Sequence, residues 1–291
     1  MNITLDAYAK INLYLDIVGK RENGYHDIRG IMHKIALCDR VSVSVRPNSQ
    51  NEISLTCTQA AIPCDERNIA YKAARMYLSS YTNATYKVSI HIEKHIPAAG
   101  GLAGGSTDGA AVLRAMHKLL GGVEYDTLVC DSARLGADLP FCMADGAMIT
   151  EGIGDVLTPC PSLAPCYILI CNTGEGVSTP LAYSKLDDIY DNFKHTSFDC
   201  ERFSRLKDGL ASRDLELATS GMYNIFEEAV LSECPLASKA KAIMLGSGAV
   251  GAMMSGSGST IFGIYEDASA ANSTLSHLSS FGYAVHLSKN S

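Results

Sequence analysis

Tryptophan is absent from this sequence, and no apolar run approaches the length of a membrane span. Low-complexity tracts are also lacking, so nothing indicates a repeat array or a disordered arm. Positive charge is scarce, because 24 Lys and Arg stand against 31 Asp and Glu, for a formal net charge of −7. This balance argues against a nucleic-acid partner held by a broad basic surface. We therefore expect neither a nucleic-acid nor a membrane partner.

The ten cysteines form no C-x-x-C pair and have no metal-finger spacing. The first residues lack a signal-peptide pattern, so we expect reduced thiols in a cytoplasmic protein. With 47% hydrophobic residues, the chain can bury a full core. A proline-rich link at Pro159, Pro161 and Pro165 predicts two domains, residues 1–158 and 159–291.

The most informative stretch is a glycine-rich segment that begins at Pro97. Before it, residues 86–92 alternate like a half-buried strand, and after it apolar residues recur at helical spacing until Gly121. A glycine-rich turn between a strand and a helix bares backbone N–H groups and directs the positive helix end at a ligand, which is how proteins hold phosphate. Glycines also serve tight turns and close helix packing, so the loop alone leaves both interpretations open.

Two familiar phosphate loops are excluded at this segment. Gly100 and Gly105 have the P-loop separation, but Ser106 and Thr107 follow where that motif requires a lysine. No G-x-G-x-x-G occurs, so the dinucleotide fingerprint is missing as well. Ser106 is either the helix N-cap or a hydroxyl that meets phosphate or metal.

Four further positions carry candidate chemistry, each with a structural alternative. Lys10 interrupts an apolar region and either extends its ammonium to solvent or holds polyphosphate. Tyr25 and His26 lie on a predicted turn and either stack on a flat base or form an ordinary surface turn. Asp138, between small and apolar residues, is either a helix cap or a working carboxylate.

The remaining pattern mixes helices and strands without strict alternation, which predicts an α+β fold with antiparallel pairing. Alternation at the start predicts two strands with their junction at residues 7–10, and Asn68 is predicted to cap a helix. Near the end, residues 255–259 form a Gly-Ser turn between two strands. This turn either packs over the first glycine loop or is a simple hairpin.

Taken together, five segments resemble the GHMP kinases. The segment at Pro97 looks like the P-x-x-x-G-L-x-x-S-S phosphate motif of that superfamily, and the late turn looks like its C-terminal motif. Three segments are similar to the member that phosphorylates a cytidine diphosphate derivative of methylerythritol in the non-mevalonate isoprenoid pathway. Residues 184–247 carry least of the resemblance. The five segments are Ala9-Lys10-Ile11-Asn12, Gly24-Tyr25-His26, residues 97–111, Leu135-Gly136-Ala137-Asp138-Leu139-Pro140 and Ser255-Gly256-Ser257-Gly258.

The resemblance implies an α+β, two-domain GHMP kinase fold with the active site in the inter-domain cleft. It implies ATP and Mg²⁺ as cofactors, and transfer of the ATP γ-phosphoryl group to the 2-hydroxyl of a small-molecule cytidine diphosphate substrate. Asp138 matches the catalytic base of the family, and Lys10 matches the lysine beside it. Oligomeric state stays open.

Motif matching also assigns the binding residues. The expected ATP-binding residues are Asn68, Pro97, Ala98, Ala99, Gly100, Gly101, Leu102, Ala103, Gly104, Gly105, Ser106 and Thr107. The expected substrate-binding residues are Asn12, Tyr25, His26, Asp138, Thr179 and Tyr183. Ser106 is expected near Mg²⁺, and Thr107 departs from the serine of the pattern while keeping a hydroxyl.

Two other functions remain open to test. A GHMP kinase for mevalonate, homoserine or a sugar would share the phosphate loop without needing the turn at Tyr25 and His26. A sensor with this fold would bind ligand without turnover, although the presence of both Lys10 and Asp138 argues against it.

Overall fold

A computed structural model describes residues 1–98, 100–193 and 198–290, and it divides into two compact units. The first unit holds residues 1–9, 37–98 and 103–145, and the second holds the other described residues. The expected ATP-binding residue Ala99 lies outside the described residues. The single domain division at residues 158 and 159 stays a prediction.

The first unit is a sheet with helices packed on it. Within it, β3 runs parallel to β4, and β4 runs antiparallel to β2, which continues to β1. Valines and isoleucines alternate into the core from β2 and β4, and α1 packs on α2. Strands β1 (Asn2–Lys20) and β2 (His26–Pro47) contribute residues to both units. The other elements of the first unit are β3 (Glu52–Cys57), α1 (Ile69–Tyr81), β4 (Tyr86–Glu93), α2 (Gly104–Leu120), α3 (Tyr125–Ser132) and α4 (Leu139–Met143).

The elements that flank the glycine-rich segment confirm the sequence predictions. Val88, Ile90 and Ile92 share the buried face of β4. The helix that follows ends at Gly121, whose φ of 63° lies in the left-handed region that glycine tolerates. Asn68 caps α1, because its side chain accepts a hydrogen bond from the Ala70 N–H at 2.8 Å.

The start of the chain differs from its prediction. Residues 2–20 form one continuous strand instead of two strands that meet near residues 7–10. The burial pattern changes along this strand, from alternating exposure before Ala9 to continuous burial from Ala9 to Ile17. The change in periodicity looked like a break, although it marks only where both faces become covered. His26, predicted on a turn, begins β2.

The second unit contains a four-stranded antiparallel sheet with the order β11-β7-β10-β9. The Gly-Ser turn joins β9 to β10, as predicted. The parallel β3–β4 and β1–β8 pairs are exceptions to the predicted antiparallel pairing. The elements are β5 (Ala147–Glu151), β6 (Val156–Cys160), β7 (Cys166–Asn172), α5 (Thr179–Ile189), α6 (Cys200–Ser212), α7 (Leu215–Ser220), β8 (Tyr223–Asn224), α8 (Phe226–Val230), α9 (Pro235–Gly246), β9 (Gly251–Met254), β10 (Ile261–Tyr265), α10 (Ala268–Ser279) and β11 (Ala284–Asn290).

The proline-rich link begins inside a strand, which corrects its prediction as a connection. Pro159 belongs to β6 and lies opposite Met148 of β5. Proline is tolerated there because β6 pairs with β5 alone among the described strands, and an edge strand has N–H positions that need no ladder partner. Of the helices in the described residues, none is both long and apolar enough to cross a membrane.

Close packing of α6 on α7 gives the first testable prediction. A Cβ added at Gly209 would lie 2.2 Å from the Ala218 backbone nitrogen, so Gly209→Ala must push the helices apart. We expect it to lower the free energy of unfolding by about 1–3 kcal/mol in urea titrations. Gly246→Ala is the control, because a Cβ there meets nothing within 4 Å. Equal stability of both variants would contradict the packing.

Candidate active site

Helix α2 begins without a side-chain cap. Its N-cap is Ala103, in the left-handed conformation with φ of 58°, and no side chain accepts from the first turn. The first intrahelical hydrogen bond runs from the Thr107 N–H to the Ala103 carbonyl at 2.9 Å. The N–H groups of Gly104, Gly105 and Ser106 precede that bond, and they lie where a helix dipole favours an anion.

The structure decides between the two interpretations of Ser106. Ser106 is the third residue of α2, so it is not the N-cap. Its hydroxyl makes no hydrogen bond within the described ranges, whereas the Thr107 hydroxyl donates to the Tyr8 carbonyl at 2.8 Å. Thr107 is therefore an anchor for the helix start, and Ser106 is the hydroxyl that remains available to a ligand.

Gly109 brings three elements of the first unit together. A Cβ there would lie 2.6 Å from Cγ2 of Ile69 and 3.5 Å from Cδ2 of Leu139. These two residues follow Asn68 and Asp138 in the chain, so the capping asparagine of α1 and the aspartate before α4 both lie beside the first turns of α2. The predicted ATP and catalytic residues of this unit thus converge at one helix terminus.

Asp138 occupies the N-cap position of α4, at the bend that the sequence indicates before Pro140. Its side chain makes no cap hydrogen bond, although a capping role was one of the two interpretations. The residue is partly exposed, and its backbone carbonyl accepts from the Cys142 N–H at 3.0 Å. The backbone of Asp138 is therefore part of the start of α4, while its carboxylate is not used as a cap by that helix.

The Asn68 side chain is fully engaged in local structure. Its oxygen caps α1, and its amide nitrogen donates to the Pro63 carbonyl at 2.8 Å. A cavity of about 360 Å³ lies next to it, lined by Cys64, Asp65, Glu66, Arg67 and Tyr71. Asn68 thus shapes this edge of the unit through the backbone that it fixes.

In the second unit, Lys10 and Asn12 occupy adjacent positions on the same face of β1. Both are buried, and the Lys10 ammonium donates to Oδ1 of Asn12 at 2.5 Å. The Lys10 backbone N–H donates to the Leu102 carbonyl at 3.2 Å. A Cβ added at Gly256 would lie 3.3 Å from the Lys10 nitrogen. Lys10 is thus held between the glycine-rich segment and the late Gly-Ser turn, and it does not extend to solvent.

The two glycine-containing turns pack against each other, which was one of the two predicted roles of the late turn. The Ser255 hydroxyl donates to the Gly101 carbonyl at 3.0 Å. A Cβ at Gly101 would lie 2.0 Å from the Ser255 carbonyl oxygen, and one at Gly100 would lie 2.4 Å from Oγ1 of Thr260. Leu102, by contrast, has its side chain buried, and its carbonyl accepts from the Lys10 N–H.

An aromatic and charged cluster surrounds His26. Its ring stacks on Tyr183 with centroids 4.7 Å apart and meets the edge of Phe193 at 5.5 Å. Its Nε2 lies 2.7 Å from Oδ1 of Asp187, whose other oxygen accepts from Lys20 at 2.7 Å. Tyr25 is 60% exposed. Tyr183 therefore supports His26, and Tyr25 is the ring with an open face.

Asp187 was missed in the sequence because its partners lie far away in the chain. Burial alone would raise the pKa of Asp187, but hydrogen bonds from Lys20 and His26 outweigh burial and lower that pKa. An ionised Asp187 that accepts from Nε2 keeps the proton there and leaves Nδ1 of His26 as the acceptor. The signal available in the sequence for Asp187 was a charged residue near an aromatic residue, because Asp187 follows Tyr183 by four positions.

Helix α5 connects this cluster to the Gly-Ser turn. Thr179, Tyr183 and Asp187 are spaced four residues apart, so they share one face of the helix. The Thr179 hydroxyl hydrogen-bonds the Ser257 hydroxyl at 2.8 Å. The structure thus connects Thr179 with the turn and Tyr183 with His26, and it adds Asp187 to the predicted set.

Comparisons with known proteins place both halves of the chain in one class. A model described as "GHMP kinases N terminal domain" matches residues 68–156, and one described as "GHMP kinases C terminal" matches residues 206–284. The fold and the uncapped helix at the glycine loop therefore define a GHMP-type kinase. GHMP kinases use ATP as phosphoryl donor.

Individual relatives narrow the class. A protein named 4-diphosphocytidyl-2-C-methyl-D-erythritol kinase from Lachnoclostridium phytofermentans is 37% identical over 274 residues, covering 92% of this chain and 90% of its own length. One of the same name from Clostridium perfringens is 38% identical, covering 90% and 88%. A crystal structure of 4-(cytidine 5'-diphospho)-2C-methyl-D-erythritol kinase matches with a TM-score of 0.80 at 28% identity, over 99% of this chain and 98% of that one. This chain belongs to the 4-diphosphocytidyl-2-C-methyl-D-erythritol kinase family.

The contact between the two turns gives the second prediction. Gly101 has φ of 75° and no room for a Cβ, so Gly101→Ala displaces the glycine-rich segment from the Ser255 carbonyl. We expect kcat/KM for ATP to fall on the order of 10²-fold in a coupled ADP assay, because small misplacements of phosphate-holding groups have effects of that size.

Gly176→Ala is the matched control, because it adds a Cβ within the same unit where nothing lies within 4 Å. Full activity of Gly101→Ala would show that the contact does not fix the loop for catalysis.

Proposed function

We propose that this chain transfers the γ-phosphoryl group of ATP to the 2-hydroxyl of 4-diphosphocytidyl-2-C-methyl-D-erythritol, giving the 2-phosphate and ADP. The reaction belongs to the non-mevalonate isoprenoid pathway. The named relatives support the substrate, because they align over about nine-tenths of both chains. The observation that carries the proposal is the uncapped start of α2 with Asp138 beside it in the same unit.

The ATP phosphates bind at the start of α2. Backbone N–H groups from Gly104 to Ser106 donate to phosphate oxygens, and the helix dipole adds favourable electrostatic interaction. Within the second unit, the Lys10 ammonium donates to Asn12, and Lys10 is the positively charged side chain that the family resemblance assigns to the reaction. Phosphoryl transfer needs mainly positioning and charge stabilisation, and these groups provide both.

Mg²⁺ prefers oxygen ligands, and the start of α2 offers one in the hydroxyl of Ser106. Magnesium takes few protein ligands and binds mainly through substrate phosphates and water, where it neutralises developing charge. Ser106 is the residue that would hold it, because its hydroxyl is not hydrogen-bonded within the described ranges, whereas that of Thr107 is committed to Tyr8.

Asp138 accepts the proton of the substrate hydroxyl. Its carboxylate is not used as a helix cap, and it lies beside the first turns of α2, where the phosphates bind. Transfer of the proton to Asp138 makes the hydroxyl oxygen a better nucleophile as the bond to the γ-phosphorus forms.

The cytosine binds at the His26 cluster. Tyr25 offers an open aromatic face for stacking, and Nδ1 of His26 accepts from the exocyclic amine, because Asp187 holds the other ring nitrogen. Tyr183 packs behind His26, and Thr179 fixes the adjacent Gly-Ser turn. Asn12 contacts the substrate from the same strand face as Lys10.

Removing the carboxylate of Asp138 tests the catalytic assignment. We expect Asp138→Asn to lower kcat by about 10²–10⁴-fold, the usual contribution of a general base, while ATP still binds. The measurement is ADP release with the cytidine diphosphate substrate present, together with calorimetric ATP binding. An active Asp138→Asn enzyme would remove Asp138 from this role.

Truncating Tyr25 tests the nucleobase site. We expect Tyr25→Ala to raise KM for the cytidine substrate about 5- to 150-fold, as for the loss of about 1–3 kcal/mol of stacking, and to leave KM for ATP nearly unchanged. Phe281→Ala is the control, because Phe281 is also an exposed aromatic residue and takes no part in the cluster. Equal losses of both affinities would count against stacking.

A further inference from the structure

Three charged side chains are buried together at the base of the glycine-rich segment. The exposed fractions of the Lys94, Asp39 and Asp108 side chains are 3%, 0% and 4%. The Lys94 ammonium pairs with Asp39 and lies 2.8 Å from Oδ2 of Asp108. We call these residues the buried triad. All three belong to the first unit, and the sequence analysis assigned them no role.

The buried triad ties both ends of the glycine-rich segment to one point. Lys94 directly follows β4, and Asp108 is the fifth residue of α2. Oδ1 of Asp39 accepts from the backbone N–H groups of His95 and Ile96 at 2.5 and 2.8 Å, which fixes the chain just before Pro97. Lys94 thus bridges the entry and the exit of the segment.

The ammonium also lies directly against the helix start. A Cβ added at Gly104 would lie 3.3 Å from the Lys94 nitrogen. Gly104 is the first residue of α2 and one of the donors assigned to ATP above. The position of Lys94 therefore sets the position of an N–H group that faces the phosphates.

We propose that the buried triad is a positioning group that holds the glycine-rich segment in the shape that binds ATP. The proposal rests on the proposed function, in which this segment holds the ATP phosphates. Removing one partner from a buried ion pair leaves an uncompensated charge, and the remaining groups must move to find water or a partner. Such a movement at Lys94 or Asp108 displaces the N–H groups of the first helical turn.

The test compares Lys94→Met with Lys87→Met. Lys87 lies on β4, the strand that Lys94 follows, and it pairs with Glu52 away from the triad, so the control removes a lysine–carboxylate pair that is partly exposed. We expect Lys94→Met to raise the calorimetric Kd for ATP at least tenfold and KM for the cytidine substrate less than twofold. Lys87→Met should change neither by more than twofold.

Two further variants keep the test decisive if Lys94→Met does not fold. Asp108→Asn preserves shape and should raise the calorimetric Kd for ATP more than Lys87→Met does, with KM for the cytidine substrate changed less than twofold. The double variant Lys94→Met/Asp108→Asn leaves one buried carboxylate, which the His95 and Ile96 N–H groups still satisfy. It should bind ATP at least tenfold more weakly.

Wild-type affinity for ATP in the folded variants would overturn the positioning role and show that the triad serves stability alone. Equal losses of affinity for ATP and for the cytidine substrate would overturn it too. Failure of the proposed function is a separate result, because it would appear in wild type as ATP binding without transfer to the cytidine substrate.

Discussion

The unsatisfied N–H groups at the start of α2 are the constraint on which the rest of the first unit depends. A helix normally satisfies such donors with a side chain from its N-cap, and Ala103 has none to offer. The surrounding contacts keep that terminus open instead of closing it. Thr107 fixes the helix to the Tyr8 carbonyl, and Gly109 admits Ile69 and Leu139 at close range. An anion is the natural partner of an open helix terminus.

Local patterns in the sequence were sufficient for the elements around this terminus. The alternation of β4, the Asn68 cap and the Gly-Ser turn between β9 and β10 each depend on neighbouring residues, so period and turn chemistry predict them. The start of α2 shows where local patterns fail. Ser106 has the side chain of an N-cap, but the N-cap is Ala103, three residues earlier, in a left-handed conformation. Nothing in an alanine side chain signals that conformation.

The candidate functional residues that the sequence did not reveal, Asp187 and the buried triad, are held by pairings between residues far apart in the chain. Asp187 meets His26 across 161 positions, and Lys94 meets Asp39 across 55. Both pairings arise from how strands and helices pack, and no spacing rule relates their members. A lysine at the end of an apolar strand was the only local hint of the buried triad. Charged residues in apolar surroundings therefore merit as much attention in a sequence as glycine motifs.

Helix α5 fixes the separation between two side-chain contacts of the second unit. Thr179, at the Gly-Ser turn, and Asp187, at His26, are eight residues apart, which at helical rise corresponds to about 12 Å along the axis. Deleting or inserting one residue between them would rotate one end by about 100° and break one of the two contacts. The residue count of the helix is therefore under stricter constraint than most of its side chains, because both contacts depend on it.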